Sequence, residues 1–156
     1  MSKSLRRVRS ALEAAGLAAR IHETDDSART AAGAAAAVGC ALDQIAKSII
    51  FRGEESGHVV LFLTAGGNRV DPAKATEVAG QRPGKADAEL IRAETGFAIG
   101  GVAPVGHLRL IEAWLDPRLL DFDLVWAAAG TPRHVFAIAP ADLLRLTGAK
   151  AADFTA

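Results

Sequence analysis

Leu5, Val8 and Leu12 recur at three-to-four spacing in an otherwise charged stretch, which places them on one helical face and predicts a helix from Ser4 to Ala15. After a short segment from Leu17 to His22, an alanine-rich run predicts a second helix capped by Ser27, continuing through Ala37 and closed by Gly39. The pattern then changes period. Ile45 to Arg52 and His58 to Thr64 are dense in β-branched and aromatic side chains, and the polar Gly53-Glu54-Glu55-Ser56-Gly57 between them supplies the turn of an antiparallel hairpin. Gly66-Gly67-Asn68 predicts another turn and Arg69-Val70 a short strand. Asp71-Pro72 then opens a third helix, with the aspartate as cap and the proline where a missing N–H costs nothing. Asp87 to Glu94 predicts a short helix ending at Gly96. Arg109 to Leu115, Leu124 to Ala129 and Val135 to Ile138 predict strands, separated by turns at Asp116-Pro117 and Gly130 to His134. Pro140 to Leu146 predicts a last helix, stopped by Gly148. Strands that follow one another, with helices clustered early and late, predict an α+β fold around a mixed sheet or partly closed barrel. No internal repeat or low-complexity linker interrupts residues 1–156, which predicts a single domain.

Composition narrows the class without naming a function. A chain of 156 residues, half of them hydrophobic and 23% charged, is ordinary globular material, which excludes disordered and fibrous classes. Its 18 Lys and Arg balance 18 Asp and Glu. Zero net charge speaks against coating nucleic acid along its length, DNA included, because such binding is driven by phosphate neutralisation; a local contact with one RNA end stays open. Lys3, Arg6, Arg7 and Arg9 on the polar side of the first helix read as a solvated face, with phosphate contact as the alternative. Cys40 stands alone and cannot form an internal bridge, and it reads as a packing residue at a helix end. With no charged-then-apolar leader and no long apolar span, a cytoplasmic protein with no membrane partner is expected.

The candidate chemistry is sparse. His22, His58, His107 and His134 are scattered along the chain, so neither a metal nor a cofactor is expected. The Gly-x-Ser-x-Gly elbow, the dinucleotide fingerprint and the phosphate-binding loop are all missing. Three features remain. Lys47 sits in an apolar strand, where alternation places it on the face of Ile45 and Ile49; such a lysine either snorkels to the sheet edge or stands in a cleft wall. Gly100-Gly101-Val102-Ala103-Pro104-Val105-Gly106-His107 carries three glycines, a proline and a histidine in eight residues, more turn chemistry than a plain connection needs. Gly130-Thr131-Pro132-Arg133-His134 is a turn ending in a histidine. His107 and His134 each read as either a structural hydrogen-bonding residue or a catalytic one.

Four segments, in order from about Thr24 to Lys150, carry a resemblance. They are Ile-Ala-Lys-Ser-Ile-Ile-Phe around Lys47, Gly-Phe-Ala-Ile-Gly-Gly-Val-Ala-Pro-Val-Gly-His ending at His107, Ala-Ala-Ala-Gly-Thr-Pro-Arg-His-Val-Phe around His134, and Pro-Ala-Asp-Leu-Leu-Arg-Leu-Thr-Gly-Ala from Pro140. Together the chain resembles the YbaK/ProX/EbsC family, freestanding relatives of the editing insertion domain of bacterial prolyl-tRNA synthetase. The resemblance implies a twisted, barrel-like mixed sheet flanked by helices, and hydrolysis in trans of the ester joining a wrong amino acid to the terminal adenosine of a tRNA. It places the family's essential lysine on Lys47 and its glycine loop on Gly100 and Gly101, with His134 near the substrate. Ser48, Ile49, Pro104, His107, Gly130 and Thr131 are expected to bind substrate. The implied partners are the acceptor end of an aminoacyl-tRNA and prolyl-tRNA synthetase.

Such a site needs little machinery, because an aminoacyl ester is already activated. Holding it still, stabilising the carbonyl oxygen as it gains charge and admitting water is enough. The backbone N–H groups of Gly100 and Gly101 suit that oxygen, Lys47 supplies positive charge, and His134 or a ribose hydroxyl orients the water. Small amino acids are the expected substrates, since apolar pockets exclude by clash. Ser48 stands where alanine-editing members tend to carry asparagine, and Thr131-Pro132-Arg133-His134 departs from the Gly-Ser-Arg pattern of cysteine-specific members. Alanine, serine or threonine is favoured, with cysteine on tRNA(Pro) left open. The rivals are a non-catalytic module of the same fold that captures an RNA end or a synthetase, and a hydrolase of small esters or amides.

Overall fold

The computed structural model describes residues 2–156. Its first helix, α1 (Lys3–Ala14), starts where Ser2 Oγ accepts the Leu5 N–H, and it buries Leu5, Val8 and Leu12 as the spacing required. After β1 (Ile21–Glu23) a short 3-10 turn leads into α2 (Ala31–Val38). The cap of α2 is Thr30, whose Oγ1 accepts the Gly33 N–H at 3.0 Å, and not Ser27. Ser27 lies inside the 3-10 turn, where its own N–H is taken by the Asp25 carboxylate at 2.8 Å. Asp25 binds both the amide and the hydroxyl of Ser27, so the serine is a partner in one cap and unavailable for another.

The hairpin forms as expected from β2 (Ala46–Gly53) and β3 (Val59–Ala65), antiparallel, with Lys47 opposite Thr64 and Ile49 opposite Phe62. Every residue of β3 is buried, which explains its unbroken Val-Val-Leu-Phe-Leu run: it is covered on both faces. Then follow α3 (Pro72–Ala79), β4 (Pro83–Lys85), α4 (Ala88–Thr95), β5 (Glu112–Leu115), β6 (Val125–Ala128), β7 (His134–Ile138), α5 (Pro140–Thr147) and β8 (Lys150–Ala151). One sheet runs β4-β2-β3-β5-β8, with β5 parallel to both β3 and β8; the other runs β1-β7-β6 and is antiparallel. A parallel bridge from Ile45 to Trp126 joins them. The mixed α+β fold agrees with expectation, while the sheets stay open and do not close into a barrel.

Two expected strands shrink. Arg69-Val70 contributes only an isolated bridge from Val70 to Thr155. The strand expected from Arg109 begins at Glu112, the first residue with a partner on β3, and Leu108, Arg109 and Leu110 are exposed before it. The main core gathers Leu12, Leu63, Phe97, Leu115, Phe136 and Leu143 between the two sheets and α1. A second cluster packs α2 on Trp126 and Val135, and a third packs Phe62 against Phe154 and α3. Because β4 pairs only with Phe51, Arg52 and Gly53, the edge of β2 from Ser48 to Ile50 has no strand beside it. A cleft opens there. Among the described residues no helix is long and apolar enough to cross a membrane.

Candidate active site

The cleft has a volume of about 430 Å³, within the range of small-molecule sites, and lies between the open edge of β2, the start of α2, the Ile99–Val102 loop and the β6–β7 turn. Its walls are mostly apolar, with Ile50, Ile91 and Val102 on one side and Ala34, Trp126 and Val135 on the other. Lys47, Ser48, Ile49, Gly100, Thr131 and His134 all line it, so six of the residues expected at the site meet around one space. Arg29 joins them from the 3-10 turn before α2, and among the described residues no aspartate or glutamate lines the wall.

Lys47 is held rather than free to snorkel. Its Nζ donates to the Asn68 backbone carbonyl at 2.7 Å. Asn68 in turn donates from Nδ2 to Asp116 Oδ2 at 2.8 Å, and Asp116 is buried at the end of β5, where it also accepts the Ala65 and Arg118 amides. Burial pulls the Lys47 pKa below its ordinary value, and Arg69 adds to that; Asp43 and Asp116 pull the other way. Ile49 packs with the Phe62 cluster, while Ile45, expected on the same face, leaves the sheet to pack with Trp126. Ser48 Oγ is buried with no hydrogen-bond partner.

The glycine loop is built backbone against backbone. A side chain at Gly101 would put its Cβ 2.8 Å from the Thr131 Cα, so only glycine lets this loop rest on the β6–β7 turn. The Gly101 N–H, however, donates to Ala98 O at 3.1 Å within the loop's own turn, which removes it from the expected pair of free donors and leaves Gly100 at the cleft. Arg7 clamps the loop from behind. Its Nη2 donates to Gly96 O at 2.7 Å and its Nε to Gly106 O at 3.2 Å, and the guanidinium sits 4.6 Å from the centre of the Phe97 ring. That corrects the reading of Arg7 as part of a solvated face: it ties α1 to both ends of the loop. Nothing in the spacing of Lys3, Arg6, Arg7 and Arg9 distinguishes Arg7, whose guanidinium makes these bonds.

In the β6–β7 turn, Thr131 Oγ1 lies 2.6 Å from His134 Nδ1 and accepts the Arg133 N–H at 3.1 Å. Arg133 also pairs with Asp26 at 3.0 Å, which ties this turn to the 3-10 turn carrying Arg29.

Four expected residues lie apart from the cleft wall. Gly130 packs beneath it, with the position of an added Cβ only 2.9 Å from Ser4 O on α1. Pro104 and His107 border a separate depression with Leu110 and Thr147, and His107 Nε2 is bonded to Ala103 O at 2.6 Å, a structural contact. Gly101, as described, faces Thr131. The middle of the glycine loop is buried, and its first part lines the cleft while its last part borders the separate depression. Cys40 packs on the α2 cluster, and burial pushes its thiol pKa up, away from nucleophilic use. Among the described residues no group of three or more His, Cys, Asp or Glu is placed to hold a metal ion.

The architecture and the cleft define a mixed α+β domain with an apolar site between two sheets, and comparison with known proteins makes the class specific. The aminoacyl-tRNA editing domain family matches residues 25–146. The chain therefore belongs to that family, in the YbaK-like group that its motifs resembled. A crystal structure of a candidate trans-editing enzyme for prolyl-tRNA synthetase is 48% identical, with a TM-score of 0.92 over 100% of this chain and 99% of that one. The hypothetical protein APE2540 is 29% identical, with a TM-score of 0.86 over 96% of this chain and 99% of its own. The uncharacterised protein YwhH of Bacillus subtilis strain 168 is 32% identical over 130 residues, 83% of this chain and 82% of its own length.

Proposed function

We propose that the protein is a trans-editing deacylase that hydrolyses the ester of a tRNA mischarged with a small amino acid. The observation that carries this reading is the meeting of Lys47, Gly100 and the Thr131–His134 pair around one apolar cleft with no acidic residue in its wall. A site without carboxylates suits an anionic RNA end, and the editing-domain family supports the reaction class.

In the proposed reaction a water oxygen bonds to the ester carbonyl carbon. The carbon–oxygen bond to the ribose then breaks, the ribose oxygen keeps a proton derived from the water, and the amino acid leaves as a carboxylic acid that ionises. Charge builds on the carbonyl oxygen before that bond breaks, and this is where the Gly100 N–H and the Lys47 ammonium act. Arg29 at the cleft mouth is placed for the terminal phosphate, and His134 or the free ribose hydroxyl orients the water. Alanine, serine and threonine are the substrates this reading favours.

The test is single-turnover deacylation of tRNA(Pro) charged in turn with alanine, serine, threonine, cysteine and proline. Hydrolysis of small non-cognate esters with proline spared, and a loss of about 10²-fold or more in Lys47→Ala, is the expected result. No turnover on any of the five would overturn the assignment to tRNA(Pro), and tight RNA binding without turnover would favour a capture module.

A further inference from the structure

The hydrogen bonds of the β6–β7 turn decide which nitrogen of His134 carries a proton. A threonine hydroxyl has one hydrogen and two lone pairs. At Thr131 one lone pair takes the Arg133 N–H at 3.1 Å, and among the described residues the other polar atom bonded to Oγ1 is His134 Nδ1 at 2.6 Å. If Nδ1 carried the proton, it would donate to Oγ1 and the hydroxyl hydrogen would have no protein acceptor. If instead the hydroxyl donates to Nδ1, both bonds of Oγ1 are made within the turn, and the hydrogen left without a protein partner is the one on the ring's far nitrogen. The neutral ring then carries its proton on Nε2, which has no protein partner, and the ring borders the cleft.

We propose that Thr131 is a positioning residue that locks His134 in the Nε2–H tautomer, so that His134 offers the cleft a hydrogen-bond donor and not a base. The glycine loop rests directly on the turn at Thr131, where a Cβ at Gly101 would lie 2.8 Å from the Thr131 Cα, so the loop supports the turn from one side. This deepens the deacylase reading and rests on it for its consequence: His134 donates to an oxygen, of the substrate or of the attacking water, and does not take the water's proton. The placement of the proton itself does not depend on that reading.

Long-range ¹H–¹⁵N correlation spectra of the intact protein at about pH 8.5, above the ordinary histidine range, read the tautomer directly. The expected spectrum shows His134 with a protonated Nε2 and a bare Nδ1, unchanged in Thr131→Ser and converted to a tautomer mixture in Thr131→Val. A protonated Nδ1 in the unaltered protein would overturn the proposal whether or not any aminoacyl-tRNA is hydrolysed. In single-turnover deacylation, His134→Gln, which keeps a donor, is expected to exceed His134→Glu, which offers only acceptors, by about tenfold, the scale of one hydrogen bond. The reverse order would overturn the donor role while leaving the deacylase assignment standing.

Discussion

His107 donates from Nε2 to Ala103 O at 2.6 Å, and its half-buried ring stands edge-on to Phe97 at 6.0 Å. Burial lowers its pKa from the ordinary value near 6.5, and Arg7 lowers it further, against the pull of the Ala103 carbonyl. The unfolded chain takes up this proton near pH 6.5 while the folded chain resists until lower pH. The stability tied to a neutral His107 is therefore complete above about pH 6.5 and is lost as pH falls through the depressed folded value. Urea unfolding of the native chain and His107→Gln checks this: the stability advantage of the native chain should narrow between about pH 7 and about pH 5, and a constant difference would refute it. At this scale the sequence reveals residue types but not their partners. Lys47 was legible as an oddity in an apolar strand. That it is held by Asn68 through Asp116, some seventy positions further on, was not, because the pairing depends on where β3 and β5 end relative to one another.

Elements were legible in proportion to their length. The β2–β3 hairpin, α1 and the Asp-Pro start of α3 follow from period and caps, whereas β1, β4 and β8 have only two or three residues each and show no period. Those short strands nonetheless finish the sheets. Beyond β8 the chain buries Phe154 completely against Phe62, at 4.9 Å, and returns to the start of α3: Asp71 N–H donates to Phe154 O at 2.8 Å, and Lys74 reaches Asp153 and the Thr155 carbonyl. This segment backs the face of β2 that carries Ile49 and Lys47. Phe154→Ala should lower unfolding free energy by about 3–5 kcal/mol, the range for a large buried aromatic, as read from urea denaturation. A cost below about 1 kcal/mol would mean that the segment does not brace the sheet.

At the scale of the whole molecule, the cleft exists because two sheets share one bridge, Ile45 to Trp126, and diverge from it. Its charge is local, with Lys47 and Arg29 in the wall and Arg69 beside Lys47, against a net charge of zero overall. Few phosphates can then be neutralised together. For a single-stranded RNA end each contact contributes about −0.7 to the slope of log affinity against log salt. Two or three contacts predict a slope of about −1.5 to −2, measured by titrating an uncharged acceptor-stem RNA at increasing potassium chloride. A slope steeper than about −5 would reveal a wide basic interface that the charge distribution does not suggest.

The sequence by itself determined the α+β class, the hairpin, most helices and several of their caps, and three of the four segments that border the cleft, because periodicity, capping and turn chemistry are local and each is written within a few residues. Only the tertiary structure decided that Gly101 spends its amide inside its own turn, that Arg7 clamps the glycine loop, that His107 and Pro104 border the separate depression, and that Thr131 Oγ1 meets the ring of His134. Each of these depends on which atom wins a hydrogen bond or an enclosed space once distant segments have packed. A one-dimensional pattern carries no record of that competition.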